Sequence, residues 1–234
     1  MRHGQGYHNV AGEFDDSQYL WEDLEDAHLT PEGERQCEDL RMKTEKFLSN
    51  TELVITSPLN RAIQTALHSF PFLLNNVPWI ALDQVREQTG QHPCDRRRPI
   101  SEKQSLYPMI DFQYVRDDHD ELYRKYTNCR EPLESVIDRC RQFLSWLPHR
   151  SESEIIVVAH GIFIETLVHD VLKLPHGSLG KEEYETKEKL VDDNDLDRSI
   201  LYERRYFNNC EMRTVKLELK ENFVYHSSYQ KYFD

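Results

Sequence analysis

The sequence has no apolar run long enough to cross a bilayer and no basic, then apolar, leader pattern at its printed start. It has no CxxC pair, since its five cysteines are scattered singly along 234 residues. It also lacks HExxH and any Cys/His spacing typical of a zinc site. We therefore expect no membrane association, no metal, and reduced thiols in a cytoplasmic or nuclear protein.

Positive charge is scarce as well. The chain has 29 Lys and Arg against 42 Asp and Glu, for a formal net charge of −13. This balance argues against nucleic-acid binding and against anionic membrane surfaces. An anionic small substrate would need a local cluster of cationic side chains, so arginines and histidines that fall close together become informative.

Strand-like and helix-like segments alternate along the chain. Short apolar runs predict buried strands at 53–56, 79–82 and 155–159. Helices are expected at 30–48, 57–66, 131–147 and 162–172, with Thr30 and Ser57 as N-caps followed by proline at the first helical position. Alternation in 212–219 and 223–226 predicts an antiparallel hairpin at the sheet edge.

These elements predict one α/β domain spanning 1–234. It would be a three-layer sandwich, with a mostly parallel central sheet and helices on both faces. A loop-rich insertion is expected at about 88–130, covering one end of the sheet. The strongly acidic segment at about 181–198 is expected to be a flexible, solvated loop.

The first twelve residues hold the densest chemistry. Arg2 is suited to binding a phosphate, and His3 is a nucleophile that is neutral at physiological pH. Gly4 and Gly6 allow backbone amides to approach an anion closely. Alone the motif is weak, and the alternative is a solvated arm with an incidental histidine.

Three further side chains follow strands, where ligands bind in open α/β sheets. Arg61 lies in the first turn of a helix, His160 separates the strongest strand from the next helix, and Glu87 follows a third strand. Each has a structural alternative when taken singly: a surface arginine, a structurally satisfied histidine and a surface carboxylate. Together with Arg2 and His3 they suit phosphoryl transfer through a histidine.

The roles can be assigned from the chemistry. His3 attacks phosphorus and becomes a phosphohistidine, while Glu87 protonates the leaving oxygen and then activates water. His160 is also assigned to catalysis because it helps to spread the phosphoryl charge. The phosphate-binding set is Arg2, Asn9, Arg61 and Gly161. Since cationic side chains neutralise the phosphate, neither a cofactor nor a metal is required.

Three ordered motifs carry a family resemblance: Arg2-His3-Gly4 with Asn9, the segment 57–66, and 157–161. They resemble the signatures of the histidine phosphatase superfamily, with its phosphoglycerate-mutase-like fold, and the likeness extends to about Leu172. The resemblance implies a phosphohistidine mechanism with His3 as nucleophile, and Glu87 is the position most like the family's acid. Among its members, the eukaryotic mutase-like phosphatases are the most similar.

Two departures from the family stand out. Members normally have an apolar strand directly before Arg-His-Gly, whereas here only Met1 precedes Arg2, so the first central strand is expected to be missing or truncated. The alternatives are a mis-assigned start or a sheet that tolerates the loss.

The second departure lies after Glu87, where the sequence differs from that of glycolytic mutases. Three arginines of this segment are candidate substrate contacts: Arg96, Arg97 and Arg98. Gln5, in the opening motif, is a fourth candidate. The arginines could equally belong to a solvated or salt-bridged loop. A nuclear-localisation signal is a weaker alternative than either of these.

We therefore expect a metal-independent phosphatase that acts on a small phosphorylated metabolite. A phosphoglycerate mutase is the alternative within the same chemistry. A catalytically inactive, phosphatase-like binding protein is the alternative from another class.

Overall fold

The computed structural model describes residues 1–174, 207–218 and 226–231. Their helices are α1 (Tyr7–Phe14), α2 (Pro31–Thr44), α3 (Asn60–Ser69), α4 (Ile100–Leu106), α5 (Glu121–Lys125), α6 (Leu133–Trp146) and α7 (Gly161–Glu165), which continues as a π-helical turn at Thr166–Val171. The strands are β1 (Leu53–Thr56), β2 (Trp79–Ala81), β3 (Ile155–Val158), β4 (Arg213–Glu218) and β5 (His226–Lys231).

The central sheet is parallel, with strand order β2-β1-β3. Successive side chains of a strand point to opposite faces, so each strand contributes to two apolar cores. Val54 lies in a core with side chains of α2 and α3, whereas Leu53 and Ile55 pack with side chains of α6 and α7. Helices therefore cover both faces, as predicted, and the α/β class is confirmed.

The first residues of the chain lie beside the end of β3. The Ala159 amide donates to the Met1 carbonyl at 2.9 Å, and the His3 amide donates to the Ala159 carbonyl at 3.0 Å. On the other side, the Arg2 amide donates to the Glu211 carbonyl at 3.1 Å. The sequence predicts that a full strand before Arg2 is missing or truncated. In the structure only a short pairing at Arg2 lies between the end of β3 and the segment that leads to β4.

Most predicted elements are present with shifted ends. The prediction that Ser57 caps a helix was wrong, because the Ser57 hydroxyl accepts a bond from the Leu59 amide and α3 begins only at Asn60. The first amide of α3 instead donates to the Asp26 carboxylate at 2.7 Å. This cap comes from a residue distant in sequence, which a local pattern cannot show.

The insertion at 88–130 contains α4, α5 and a 3₁₀ turn at Pro93–Asp95. The hairpin is present as β4 and β5, which form a two-stranded sheet of their own and not an edge of the central sheet. The predicted second strand meets β5 at His226, and its other residues, 223–225, lie outside the described residues. The acidic segment 181–198 lies outside the described residues. None of the helices in the described part of the chain is long and apolar enough to span a membrane.

Candidate active site

His3 is held at the carboxyl end of the parallel sheet. Its side chain is 1% exposed, and its Nδ1 lies 2.6 Å from the Gly4 carbonyl, which can only accept a hydrogen bond. Nδ1 therefore carries the proton in the neutral ring, and Nε2 keeps its lone pair. Burial, reinforced by the charges of Arg61 and Arg2, lowers the pKa of His3 well below its usual value. His3 is thus a neutral imidazole with a nucleophilic Nε2.

Arg61 lies in the first turn of α3 and is fully buried. Its Nε donates to Nε2 of His3 at 3.3 Å, so the guanidinium is beside the proposed nucleophile. Its terminal nitrogens donate to the Cys94 carbonyl at 2.6 Å and to the Asp95 carboxylate at 2.8 Å. A guanidinium has five N–H groups, so two are left over from these three bonds and can bind an anion.

His160 follows β3 directly and lies against His3, with ring centroids 5.0 Å apart. It is 0% exposed, and neither ring nitrogen has a hydrogen-bond partner among the described residues. Burial, followed by the charge of Arg61, lowers the pKa of His160 well below its usual value. Buried polar atoms are normally paired, so two unpaired ring nitrogens beside a nucleophile indicate a place where a ligand binds.

Gly161 lies between the two remaining charged members of the set. A Cβ built on it would be 3.8 Å from Nε of Arg2 and 3.9 Å from Oε2 of Glu87. The Glu87 carboxylate accepts from the amides of Ile162 at 3.2 Å and of Gln88 at 2.9 Å. Burial, and secondly the charge of Asp95, raises the pKa of Glu87, which favours the protonated form that a general acid needs.

Asn9 and Gln5 are placed differently from one another. The buried Asn9 accepts from the Gly6 amide at 2.9 Å and from Asn209 at 3.3 Å through Oδ1, which leaves its Nδ2 to donate. The Gln5 side chain accepts from the Thr30 hydroxyl at 2.8 Å. Since Thr30 caps α2, the observed contact of Gln5 is with the fold and not with the pocket.

The three consecutive arginines are all paired with carboxylates. Arg96 contacts Glu25 at 2.6 Å and Glu22 at 2.5 Å. Arg97 is buried and donates to Asp117 at 2.9 Å, while the half-exposed Arg98 reaches Glu102 at 3.1 Å. None of these bonds involves the pocket around His3, so the arrangement is that of the salt-bridged alternative.

Two side chains near the pocket were not singled out from the sequence. The ring of His8 lies 5.5 Å from that of His3, centroid to centroid. The carboxylate of Asp95 bonds Arg61, as described above. Both stand inside motifs that the sequence shows clearly, the opening twelve residues and the basic segment 94–98, but no local pattern distinguished these two positions.

The described residues contain no group of three or more His, Cys, Asp or Glu side chains arranged to hold a metal ion. What they do assemble is a buried site with a neutral nucleophile, a second imidazole, two guanidinium groups and a carboxyl group. Such a set can accept a phosphoryl group on nitrogen, stabilise its oxygens and protonate a leaving group.

Comparison with known proteins gives the family. Residues 1–187 match the model of the histidine phosphatase superfamily (branch 1). The chain belongs to this superfamily. A phosphoglycerate mutase-like protein of Arabidopsis thaliana is 37% identical to this histidine phosphatase family member over 243 residues, covering 92% of this chain and 82% of the relative.

Solved structures support the fold of this histidine phosphatase family member. The mycobacterial glucosyl-3-phosphoglycerate phosphatase has a TM-score of 0.55 at 15% identity, covering 99% of this chain and 95% of that one. The α-ribazole phosphatase of Shigella flexneri has a TM-score of 0.50 at 20% identity, covering 75% of this chain and 79% of that one. At these identities the likeness concerns the fold alone.

Proposed function

We propose that the protein is a phosphatase that hydrolyses a small phosphorylated metabolite through a phosphohistidine on His3. The observation that carries this proposal is the contact between Nε2 of the neutral His3 and Arg61, beside the unpaired nitrogens of His160. A nucleophile and two anion-binding groups thus meet at one buried point. The pocket suits a phosphomonoester better than a neutral ligand, because two guanidinium groups lie in it and Arg61 keeps two N–H groups that can donate.

The reaction has two steps. In the first, Nε2 of His3 forms a bond to phosphorus as the bond to the leaving oxygen breaks, and Glu87 donates its proton to that oxygen. Arg2, Arg61 and His160 bind the phosphoryl oxygens. In the second, the Glu87 carboxylate removes a proton from water, which displaces His3 and releases inorganic phosphate.

A generic aryl phosphate tests hydrolysis directly. His3→Ala should abolish turnover and leave the far-ultraviolet circular dichroism spectrum unchanged. His119→Ala is the matched control, since its side chain is 63% exposed, and it should keep wild-type turnover. Full activity in His3→Ala would contradict the proposal.

A panel of phosphorylated metabolites, assayed with the wild type, identifies the substrate class. Addition of EDTA should have no effect on turnover.

The names of the curated relatives favour a second candidate, a phosphoglycerate mutase. It uses the same phosphohistidine but returns the phosphoryl group to another hydroxyl instead of to water. Movement of phosphate between positions of a phosphoglycerate, dependent on a bisphosphate primer, would establish it. A protein that binds phosphate but catalyses neither reaction would instead be a phosphatase-like binding protein.

We also propose a cytoplasmic or nuclear location for the protein.

A further inference from the structure

We propose that Asp95 is a positioning residue for the phosphate site: its carboxylate, held by Arg130, fixes the guanidinium of Arg61 beside His3. This inference rests on the proposed function, because it concerns the same pocket. It assigns a role to a residue of the segment that follows Glu87. Asp95 itself is not proposed to touch the substrate.

The position of Asp95 is set by several independent bonds. One carboxylate oxygen accepts from Arg61 at 2.8 Å and the other from Arg130 at 2.8 Å. The Asp95 backbone carbonyl accepts from Arg86 at 2.9 Å and from Thr89 at 3.3 Å. Asp95 is only 3% exposed, so these bonds form away from bulk water. Its carboxylate is therefore a fixed anchor.

The anchor governs the orientation of Arg61. Both terminal nitrogens of Arg61 bond to adjacent groups of the same 3₁₀ turn, the Cys94 carbonyl and the Asp95 carboxylate. A bidentate hold of this kind prevents the guanidinium from rotating about its last bonds. The two N–H groups that remain then keep one direction, which is what transition-state stabilisation requires.

Arg130 holds the carboxylate oxygen of Asp95 that Arg61 does not contact. It donates to Asp95 and to the Gly90 carbonyl at 2.7 Å through the same nitrogen, and it also bonds the Gln88 carbonyl. The turn that carries Asp95 is thus tied to the segment that begins at Glu87. The same anchor links the arginine of the phosphate site to the carboxyl group proposed as the acid.

The charges of Asp95 and Arg130 predict shifts in the pH dependence of kcat that a simple loss of packing would not produce. The negative charge of Asp95 raises the pKa of Glu87, and the positive charge of Arg130 lowers it. Asp95→Asn should therefore move the alkaline limb of the kcat profile to lower pH, because Glu87 loses its proton earlier. Arg130→Gln should move the same limb to higher pH. Opposite shifts would show that the pocket of both variants is still folded around Glu87, so that their common loss of phosphate affinity reports on Arg61 and not on general disruption.

The test measures inorganic phosphate binding by isothermal titration calorimetry, together with the pH profile of aryl phosphate hydrolysis. We expect Asp95→Asn and Arg130→Gln to bind phosphate about tenfold more weakly or worse, with kcat/KM down by roughly 10- to 100-fold. Asp95→Glu, which keeps the charge but displaces it, should also bind weakly and should keep the wild-type pH limb. Asp138→Asn, which removes a charge from an exposed ion pair on α6, is the control and should change nothing.

A folded Asp95→Asn protein that binds phosphate as tightly as the wild type, or more tightly, would overturn the proposal. Tighter binding would mean that Asp95 only repels the ligand. If the wild type binds phosphate but hydrolyses no phosphomonoester, the proposed function fails while the affinity comparison still decides the role of Asp95. If Asp95→Asn does not fold, Asp95→Glu and Arg130→Gln decide it, and wild-type affinity in both would overturn it.

Discussion

His160 stands beside His3 with ring centroids 5.0 Å apart and an interplanar angle of 57°, and its two ring nitrogens have no partner among the described residues. The two residues lie far apart in the sequence. They meet because both follow the carboxyl ends of neighbouring extended segments, at the edge of a parallel sheet where ligands bind.

The unpaired imidazole predicts the effect of removing it. His160→Ala should lower kcat about 10²- to 10³-fold, because one group that stabilises the transferring phosphoryl oxygens is lost. The measurement is steady-state hydrolysis of an aryl phosphate at pH 7. His149→Ala, at an exposed position in the 3₁₀ turn that follows α6, should behave as wild type. Equal rates for His160→Ala and wild type would mean that His160 is only structural.

Three buried histidines predict acid sensitivity of the fold. Burial lowers the pKa values of His3, His8 and His160 well below their usual value of about 6.5. Below that pH the unfolded chain binds more protons than the folded one, so stability is present above about pH 6.5 and is lost as pH falls through and below it. Each such histidine contributes a slope of up to about 1.4 kcal/mol per pH unit.

Urea unfolding between pH 7.5 and pH 5.5, in buffers without phosphate, checks this expectation. The free energy of unfolding should decrease toward the acidic end. His160→Gln should have a flatter profile than the wild type, because one of the three groups can no longer titrate. A pH-independent free energy of unfolding over this interval would contradict the depressed pKa values.

Substitution by alanine should affect different properties at two glycines near the site, stability at one and activity at the other. A Cβ on Gly33 would lie 2.1 Å from the Gln5 backbone oxygen, so Gly33→Ala should destabilise the fold by about 1–3 kcal/mol. A Cβ on Gly161 has room but would stand between Arg2 and Glu87. Gly161→Ala should therefore keep its stability and lose kcat/KM.

Thermal unfolding and steady-state kinetics on both proteins separate the two effects. Glu38→Ala, at an exposed position of the same helix as Gly33, is the control for stability. If Gly33→Ala unfolds at the wild-type temperature, the close approach of α2 to the opening segment is not real. Unchanged kinetics in Gly161→Ala would show that no ligand occupies the space above that glycine.

The arginine pairs predict stability effects instead of substrate effects. Arg97 is buried, whereas its partner Asp117 is partly exposed. Arg97→Met should destabilise the fold by about 1–3 kcal/mol, because the carbonyls of Asp117 and Asp118 also lose their donor. Arg98 is half-exposed beside Glu102, and Arg98→Met should cost less than about 1 kcal/mol. Neither pair touches the pocket, so Arg98→Met should keep the wild-type KM. A large rise in KM for Arg98→Met would restore its assignment as a substrate contact.

The sequence was sufficient for the fold class, since the apolar runs of β1, β2 and β3 show their burial directly. The convergence of Arg61 and His160 could be anticipated because each follows a strand, and His3 because its opening motif offers matching chemistry. The cap that Asp26 provides to α3 and the anchoring of Arg61 by Asp95 could not be. Both are contacts between residues more than 30 positions apart, and no local pattern records which carboxylate an arginine or a helix start will meet.

A rapid-quench experiment with a ³²P-labelled phosphomonoester, followed by mapping of the labelled peptide, decides whether a phosphohistidine forms. A phosphohistidine mechanism predicts transient label at His3 that is lost in acid and stable in base, as a phosphoramidate should be, and that is absent from His3→Ala. Label at another residue, or turnover without a labelled enzyme in a preparation that hydrolyses the ester, would contradict it.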